Sequence, residues 1–283
     1  MTLKRIDTLV DGLCFGEGPR WREGALWVSD MHGHQVIRVT EDGAITPVVT
    51  VENCPSGLGW LPDGQMLVVS MIDRSVLRYD GERLHLHADL SDLAGYHCND
   101  MVVDGQGRAY VGNFGFDLHS GAKPTAAVLC CVEPDGAVRV VAEDMMFPNG
   151  AVITPDGSTL IVAESFGARL TAFDIDERGD LSNRRVWAEF PKGAVPDGIC
   201  LDSKGGIWSA SPTTCECIRQ DEGGEITHRI EVDQGAFACM LGGADGTTLY
   251  MLTSDSSDPE ECARTRTGRI ETSQAPYPGA GWP

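Results

Sequence analysis

One short pattern recurs along the chain: a tripeptide, an apolar run of strand length, a tight turn, and a second apolar run. In one place it reads Pro148-Asn149-Gly150, Ala151-Val152-Ile153-Thr154, the turn Pro155-Asp156-Gly157 and Thr159-Leu160-Ile161-Val162-Ala163. In another it reads Pro196-Asp197-Gly198, Ile199-Cys200-Leu201-Asp202, the turn Ser203-Lys204-Gly205 and Ile207-Trp208-Ser209-Ala210. Pro55-Ser56-Gly57 leads through Pro62-Asp63-Gly64 to Met66-Leu67-Val68-Val69, and Asn99-Asp100 leads through Met101-Val102-Val103 to Asp104-Gly105-Gln106-Gly107. Glu17-Gly18-Pro19 and Cys239-Met240-Leu241 open two further units. Turns every eight to twelve residues or so mark an all-β chain, and no stretch keeps a 3.6-residue apolar period. Six units repeating at roughly 40–50 residues predict a six-bladed β-propeller, four strands to a blade.

Third strands follow at Val36-Ile37-Arg38-Val39, Val76-Leu77-Arg78-Tyr79 and Leu170-Thr171-Ala172-Phe173, and fourth strands at Val138-Arg139-Val140-Val141 and Arg185-Val186-Trp187. The sixth unit ends after a third strand near Gly268-Arg269-Ile270-Glu271. Arg5-Ile6-Asp7-Thr8-Leu9-Val10, ahead of the first unit, has the alternation to supply the missing strand, closing the ring and leaving no open sheet edge. Gly (34) and Pro (15) are spread along the 283 residues with no linker-like tract, so residues 1–283 read as one domain.

A formal net charge of -20 argues against nucleic acid as a partner, since phosphate contacts need basic stripes. The N-terminus lacks an apolar stretch of signal-peptide length, and no run approaches the ~20 apolar residues of a membrane span. A cytoplasmic protein without a membrane partner is expected. Several of the ten cysteines, Cys130, Cys131, Cys200 and Cys239 among them, lie within apolar runs and read as small buried hydrophobes. Cys215-x-Cys217 has no matching pair for a zinc site.

In a propeller the first strand of every blade lines the central channel, so the residues opening those strands converge at one mouth. Here they are Glu17, Ser56, Asn99, Asn149, Asp197 and Cys239, and four of the six carry a carboxylate or amide oxygen. Hard divalent cations take oxygen ligands. Glu17, Asn149 and Asp197 are therefore candidate metal ligands. Asn-Gly and Asp-Gly also favour hairpin turns, but Asn149-Gly150 and Asp197-Gly198 stand about seven residues before the hairpin of their own unit, at the other end of a strand. The loop Asn113-Phe114-Gly115-Phe116-Asp117-Leu118-His119 and the stretch from Asp255 to Thr267 fall on the same face and can wall a pocket. His97 reads equally as loop surface or substrate contact, and Cys98 and Cys239 as pocket-wall packing.

Glu17-Gly18-Pro19, Pro148-Asn149-Gly150 and Pro196-Asp197-Gly198, in that order, with the closing Gly268-Arg269-Ile270-Glu271 and Pro278-Gly279-Ala280-Gly281, resemble the senescence marker protein / gluconolactonase / luciferin-regenerating-enzyme family. The resemblance implies a six-bladed propeller with Glu17, Asn149 and Asp197 as metal ligands and Asn99 facing both metal and substrate. It implies a metal-dependent lactonase or carboxylic ester hydrolase acting on a small lactone or ester. His97 stands where the family often has Arg, and Asp117 where it has Glu. These two departures, with Phe114 and Phe116, point to a less polar pocket than one for sugar lactones.

The chemistry expected is hydrolysis assisted by one divalent metal ion, with Ca²⁺ favoured and Zn²⁺, Mn²⁺ or Mg²⁺ as alternatives. Asp197 is the candidate proton acceptor, and Asn99, His97, Asp117 and Phe114 are candidate substrate contacts. An aryl-ester or organophosphate hydrolase on the same site, or a non-catalytic calcium-binding propeller, are the alternatives. No Gly-x-Ser-x-Gly elbow offers a serine nucleophile.

Overall fold

The computed structural model describes residues 6–280 and contains six four-stranded antiparallel sheets. The innermost strands are Gly16–Arg22, Pro55–Trp60, Cys98–Val103, Pro148–Ile153, Ile199–Leu201 and Gly235–Gly242, for blades one to six. Each touches the innermost strands of its two neighbouring blades, which closes a ring around the channel. Inner strands are packed on both faces, so they read as unbroken apolar runs: every residue of Met66–Ser70 and Ala109–Asn113 is buried. Outer strands such as Ile45–Thr50 have no buried residue.

Blade six takes three strands from the C-terminal end of the chain and its outermost strand, Asp7–Leu13, from the N-terminal end. Thr8 pairs with Glu271, Val10 with Ile270 and Leu13 with Gly268. The closing strand predicted at residues 5–10 thus lies slightly further along, and Arg5 falls outside the described residues. One helix, Pro259–Thr265, was not anticipated, being too short for an apolar period to show. Asp258 caps it by accepting a hydrogen bond from the Glu261 amide at 2.9 Å, and Pro259 opens its first turn.

The glycines that follow the candidate ligands hold the blades together at close range. A Cβ on Gly150 would stand 2.6 Å from the Ile199 nitrogen, and one on Gly198 2.6 Å from the Ala238 Cβ. By contrast Gly157, in the hairpin Pro155-Asp156-Gly157, has a left-handed φ of 73°. The two kinds of Gly-containing pair thus differ physically: one makes turns, the other lets inner strands meet. Gly57 shows the second kind most sharply, since its Cβ would lie 2.3 Å from the backbone nitrogen of Met101 in the next blade. Gly57→Ala is expected to cost on the order of 3 kcal/mol, or roughly 6–12 °C in Tm by calorimetry. A variant melting with the wild type would mean that blades two and three do not approach this closely.

Candidate active site

Glu17, Ser56, Asn99 and Asn149 are each the second residue of their inner strand. In all four blades the strand pairing slips at or just beyond that residue, between Glu17 and Arg20, Pro55 and Leu58, Cys98 and Met101, and Pro148 and Ala151. Such irregularities re-aim a side chain, here toward the channel. Asp197 precedes the short strand Ile199–Leu201, but its amide still donates to the Ala210 carbonyl at 3.0 Å. Glu17, Asn99, Asn149 and Asp197 all line a cavity of about 190 Å³ at the channel mouth.

Two of the six expected openers are elsewhere. Ser56 is fully buried beside the site, its Oγ donating to Asn99 Oδ1 at 3.4 Å. Cys239 lies in the core, its thiol turned to the Gly198 and Trp208 carbonyls, and blade six presents Phe237 to the cavity instead. Cys98 is likewise fully buried and off the cavity wall, so neither thiol packs the pocket wall as expected.

Glu17 and Asp197 are the carboxylates of the floor. Burial pushes the pKa of both up, and the charge of Asp197 adds to the effect on Glu17, so the two are close enough to repel. The Gly18 amide donates to Glu17 Oε2 at 3.2 Å, and Asn149 Nδ2 donates to Asp197 Oδ1, which offset part of that cost. Arg20, which acts on Glu17, is itself committed to Asp100 at 2.8 Å and to the Met101 carbonyl. Among the described residues no three His, Cys, Asp or Glu side chains gather as a metal cluster. A cation here would therefore rest on two carboxylates completed by amide oxygens. Buried Glu17 and half-buried Asp197, repelling each other beside the amides of Asn99 and Asn149, are a donor set that fits a hard divalent ion.

Ser165 positions this floor. Its hydroxyl donates to the Pro196 carbonyl at 2.7 Å and accepts from Asn149 Nδ2 at 3.2 Å, tying blade four to the segment that carries Asp197.

Above the oxygen donors stands an apolar collar. Phe15, Phe147, Val195 and Phe237 line it, and each lies two residues before an expected opener, Glu17, Asn149, Asp197 and Cys239. Alternate residues of an extended chain share a face, so that spacing was the available signal and went unused. Phe114 completes the collar, stacked on Phe147 at 4.4 Å, with Phe166 at the rim 46 % exposed. The loops carrying Phe114, Leu118, His119 and Ser257 do wall the cavity, as their strand connections predicted. His32 also lines it, and burial lowers its pKa to about 4, leaving it neutral at pH 7.

His97 and Asp117 stand apart from the cavity wall. His97 stacks on Tyr96 at 4.1 Å, and Asp117 accepts from the Ser120 amide at 3.1 Å and from Tyr96. Of the candidate substrate contacts, the fold brings Asn99 and Phe114 to the cavity and leaves these two behind it.

The family described as the SMP-30/Gluconolactonase/LRE-like region matches residues 15–255. A regucalcin of Gallus gallus is 26% identical over 287 residues, covering 94% of this chain and 95% of its own. A pentonolactonase of Haloferax volcanii is 27% identical over 266 residues, covering 90% of this chain and 86% of its own. Among solved structures, a gluconolactonase from Xanthomonas campestris superposes with a TM-score of 0.76 at 25% identity, covering 96% of this chain and 90% of that one.

Proposed function

The chain belongs to the SMP-30/gluconolactonase/LRE-like family, and from that premise we propose that it is a metal-dependent hydrolase that opens a lactone at the channel mouth. The observation that carries this reading is a pair of carboxylates, buried Glu17 and half-buried Asp197, on the floor of a cavity. Holding two like charges side by side in a partly desolvated cavity is costly unless a ligand offsets it, and a divalent cation does so.

Glu17, Asn149 and Asp197 would hold the ion, with calcium the best match to an all-oxygen set and zinc, manganese or magnesium to be screened beside it. When bound, such an ion supplies Lewis-acid polarisation of the ester carbonyl and lowers the pKa of a water. Asn99, on the same floor, offers its amide to the carbonyl end of the substrate. Asp197 takes a proton as the water oxygen bonds to the carbonyl carbon, and returns it to the ring oxygen as the acyl C–O bond breaks. The product is an open-chain hydroxy acid, with no oxidant or reductant involved. The phenylalanine collar keeps bulk water from the floor.

The ten cysteines are free thiols, and Cys200 and Cys239 stay unbonded with their sulfurs 3.9 Å apart. A reducing, cytoplasmic setting is part of this reading, with most of the cysteines acting as small buried hydrophobes. No helix among the described residues is long and apolar enough to cross a membrane.

The test is acid release from a lactone panel by chelator-treated protein. Hydrolysis is expected to vanish with EDTA and to return with excess calcium or manganese. Turnover that persists unchanged in chelator would remove the metal from the reaction.

A further inference from the structure

We infer that the substrate is an uncharged lactone fused to, or directly bearing, an aryl ring. This rests on the lactone-hydrolase reading for the reaction, but the shape and polarity of the ligand are read from the cavity. Five of the chain's eight phenylalanines line it: Phe15, Phe114, Phe147, Phe166 and Phe237. They are not one patch of core that happens to reach the surface. Phe15, Phe147 and Phe237 come from blades one, four and six, and Phe114 and Phe166 from loops of blades three and four, so the rings surround the space from several sides.

The rings are also in contact with one another. Phe15 meets Phe237 edge-on at 4.7 Å, Phe114 stacks on Phe147 at 4.4 Å, and Phe147 meets Phe166 at 5.3 Å. A flat aromatic guest extends such an array by the same offset-stacked and edge-to-face contacts. Polarity is segregated along the cavity. Carboxylate and amide oxygens form the floor, and the wall above it is mostly aromatic and aliphatic, with His32, His119 and Ser257 its polar side chains. A ligand matching both layers has its ester group at one end and an apolar body at the other.

Two classes of lactone fit poorly. A sugar lactone would carry several hydroxyls against a wall dominated by phenyl rings, where His32, His119 and Ser257 are too few to pair them all, and an unpaired buried hydroxyl is penalised. One ring nitrogen of His32 already bonds the Ser257 backbone, which leaves that side chain a single nitrogen for a guest. A lactone with a sulfonate, phosphate or carboxylate substituent would need a cation, and among the described residues no Lys or Arg lines the cavity.

Volume sets the size. A cavity of ~150 Å³ walled by apolar side chains is filled by benzene. The 190 Å³ here leaves room for one benzene ring and a small fused ring, and the part-exposed rim at Phe166 admits it. Dihydrocoumarin is a probe of that size.

The experiment has a kinetic arm and a binding arm. With calcium or manganese supplied, kcat/KM for dihydrocoumarin is expected to exceed that for glucono-1,5-lactone at least a hundredfold. Separately, 3,4-dihydroquinolin-2-one, the lactam that matches dihydrocoumarin and resists hydrolysis, is titrated by ligand-observed NMR. It is expected to bind the wild type and to bind Phe147→Ala and Phe15→Ala at least tenfold more weakly, with both variants folded by circular dichroism. Faster turnover of gluconolactone overturns the aryl assignment while the hydrolase reading stands. Binding of the lactam with no turnover of either lactone overturns the hydrolase reading and leaves the aryl-binding cavity supported. A lactam that does not bind the wild type, or binds both variants as well as the wild type, overturns the assignment whatever the kinetics show.

Discussion

Asp197→Ala is expected to reduce kcat for lactone hydrolysis at least a thousandfold while the protein remains folded. The substitution removes a metal ligand and the proton acceptor together; a general base alone is worth ~10²–10⁴ in rate. Stability should respond in the opposite sense to a typical core truncation. Asp197 is half-buried beside its carboxylate neighbour, Glu17. Removing it relieves repulsion on Glu17, so in chelator the variant should melt at or above the wild-type temperature. The diagnostic is the response to calcium. A ligand at about 100 times its Kd stabilises the native state by ~2.7 kcal/mol, which is roughly 5–10 °C for a domain of this size. Wild-type protein should show that rise and Asp197→Ala should not. Near wild-type kcat with metal supplied, or an unchanged calcium-dependent shift, would place the ion elsewhere.

The blade count was legible because hairpins punctuate the chain: a turn such as Pro155-Asp156-Gly157 is visible whatever surrounds it, and Asp156 fixes it by accepting from the Ser158 amide at 3.1 Å. The same markers brought Glu17, Asn99, Asn149 and Asp197 to one cavity. Where the marker is missing, the reading slipped. The inner strand of blade six, Gly235–Gly242, has no Gly-Pro or Asn-Gly signal and its pairing shifts between Ala236 and Ala238. The cavity residue there is Phe237, two positions from the Cys239 expected.

Long-range pairing was not legible at all. Arg20 and Asp100, eighty residues apart in sequence, form a buried ion pair beneath the floor at 2.8 Å. Nothing local marks either residue as the other's partner. Asp100 occupies the position that Gly fills after Glu17, Ser56, Asn149 and Asp197 in the other blades. His97 and Asp117 illustrate the limit for loops. Alignment alone brings them near the site, but the stacking of His97 on Tyr96 and the local hydrogen bonds of Asp117 hold them behind the wall.

Ring closure should be the second large determinant, acting on the fold and leaving every floor residue in the chain. Removing residues 2–13 deletes the strand Asp7–Leu13, the outermost strand of blade six. Val10 and Leu13 of that strand are buried in the core cluster shared by blades one, five and six. Burial of two such side chains is worth about 1.5–3 kcal/mol each, and the lost backbone pairing to Gly268–Gln274 adds to this. A total on the order of 5–8 kcal/mol is a large share of a typical folding free energy of ~5–15 kcal/mol. The expected drop in Tm is therefore roughly 10–30 °C. The strand Gly268–Gln274 would also become an open edge, so aggregation should accompany the loss. A soluble truncated protein that melts within a degree or two of full length would show that side-chain packing between blades six and one is enough to hold the ring.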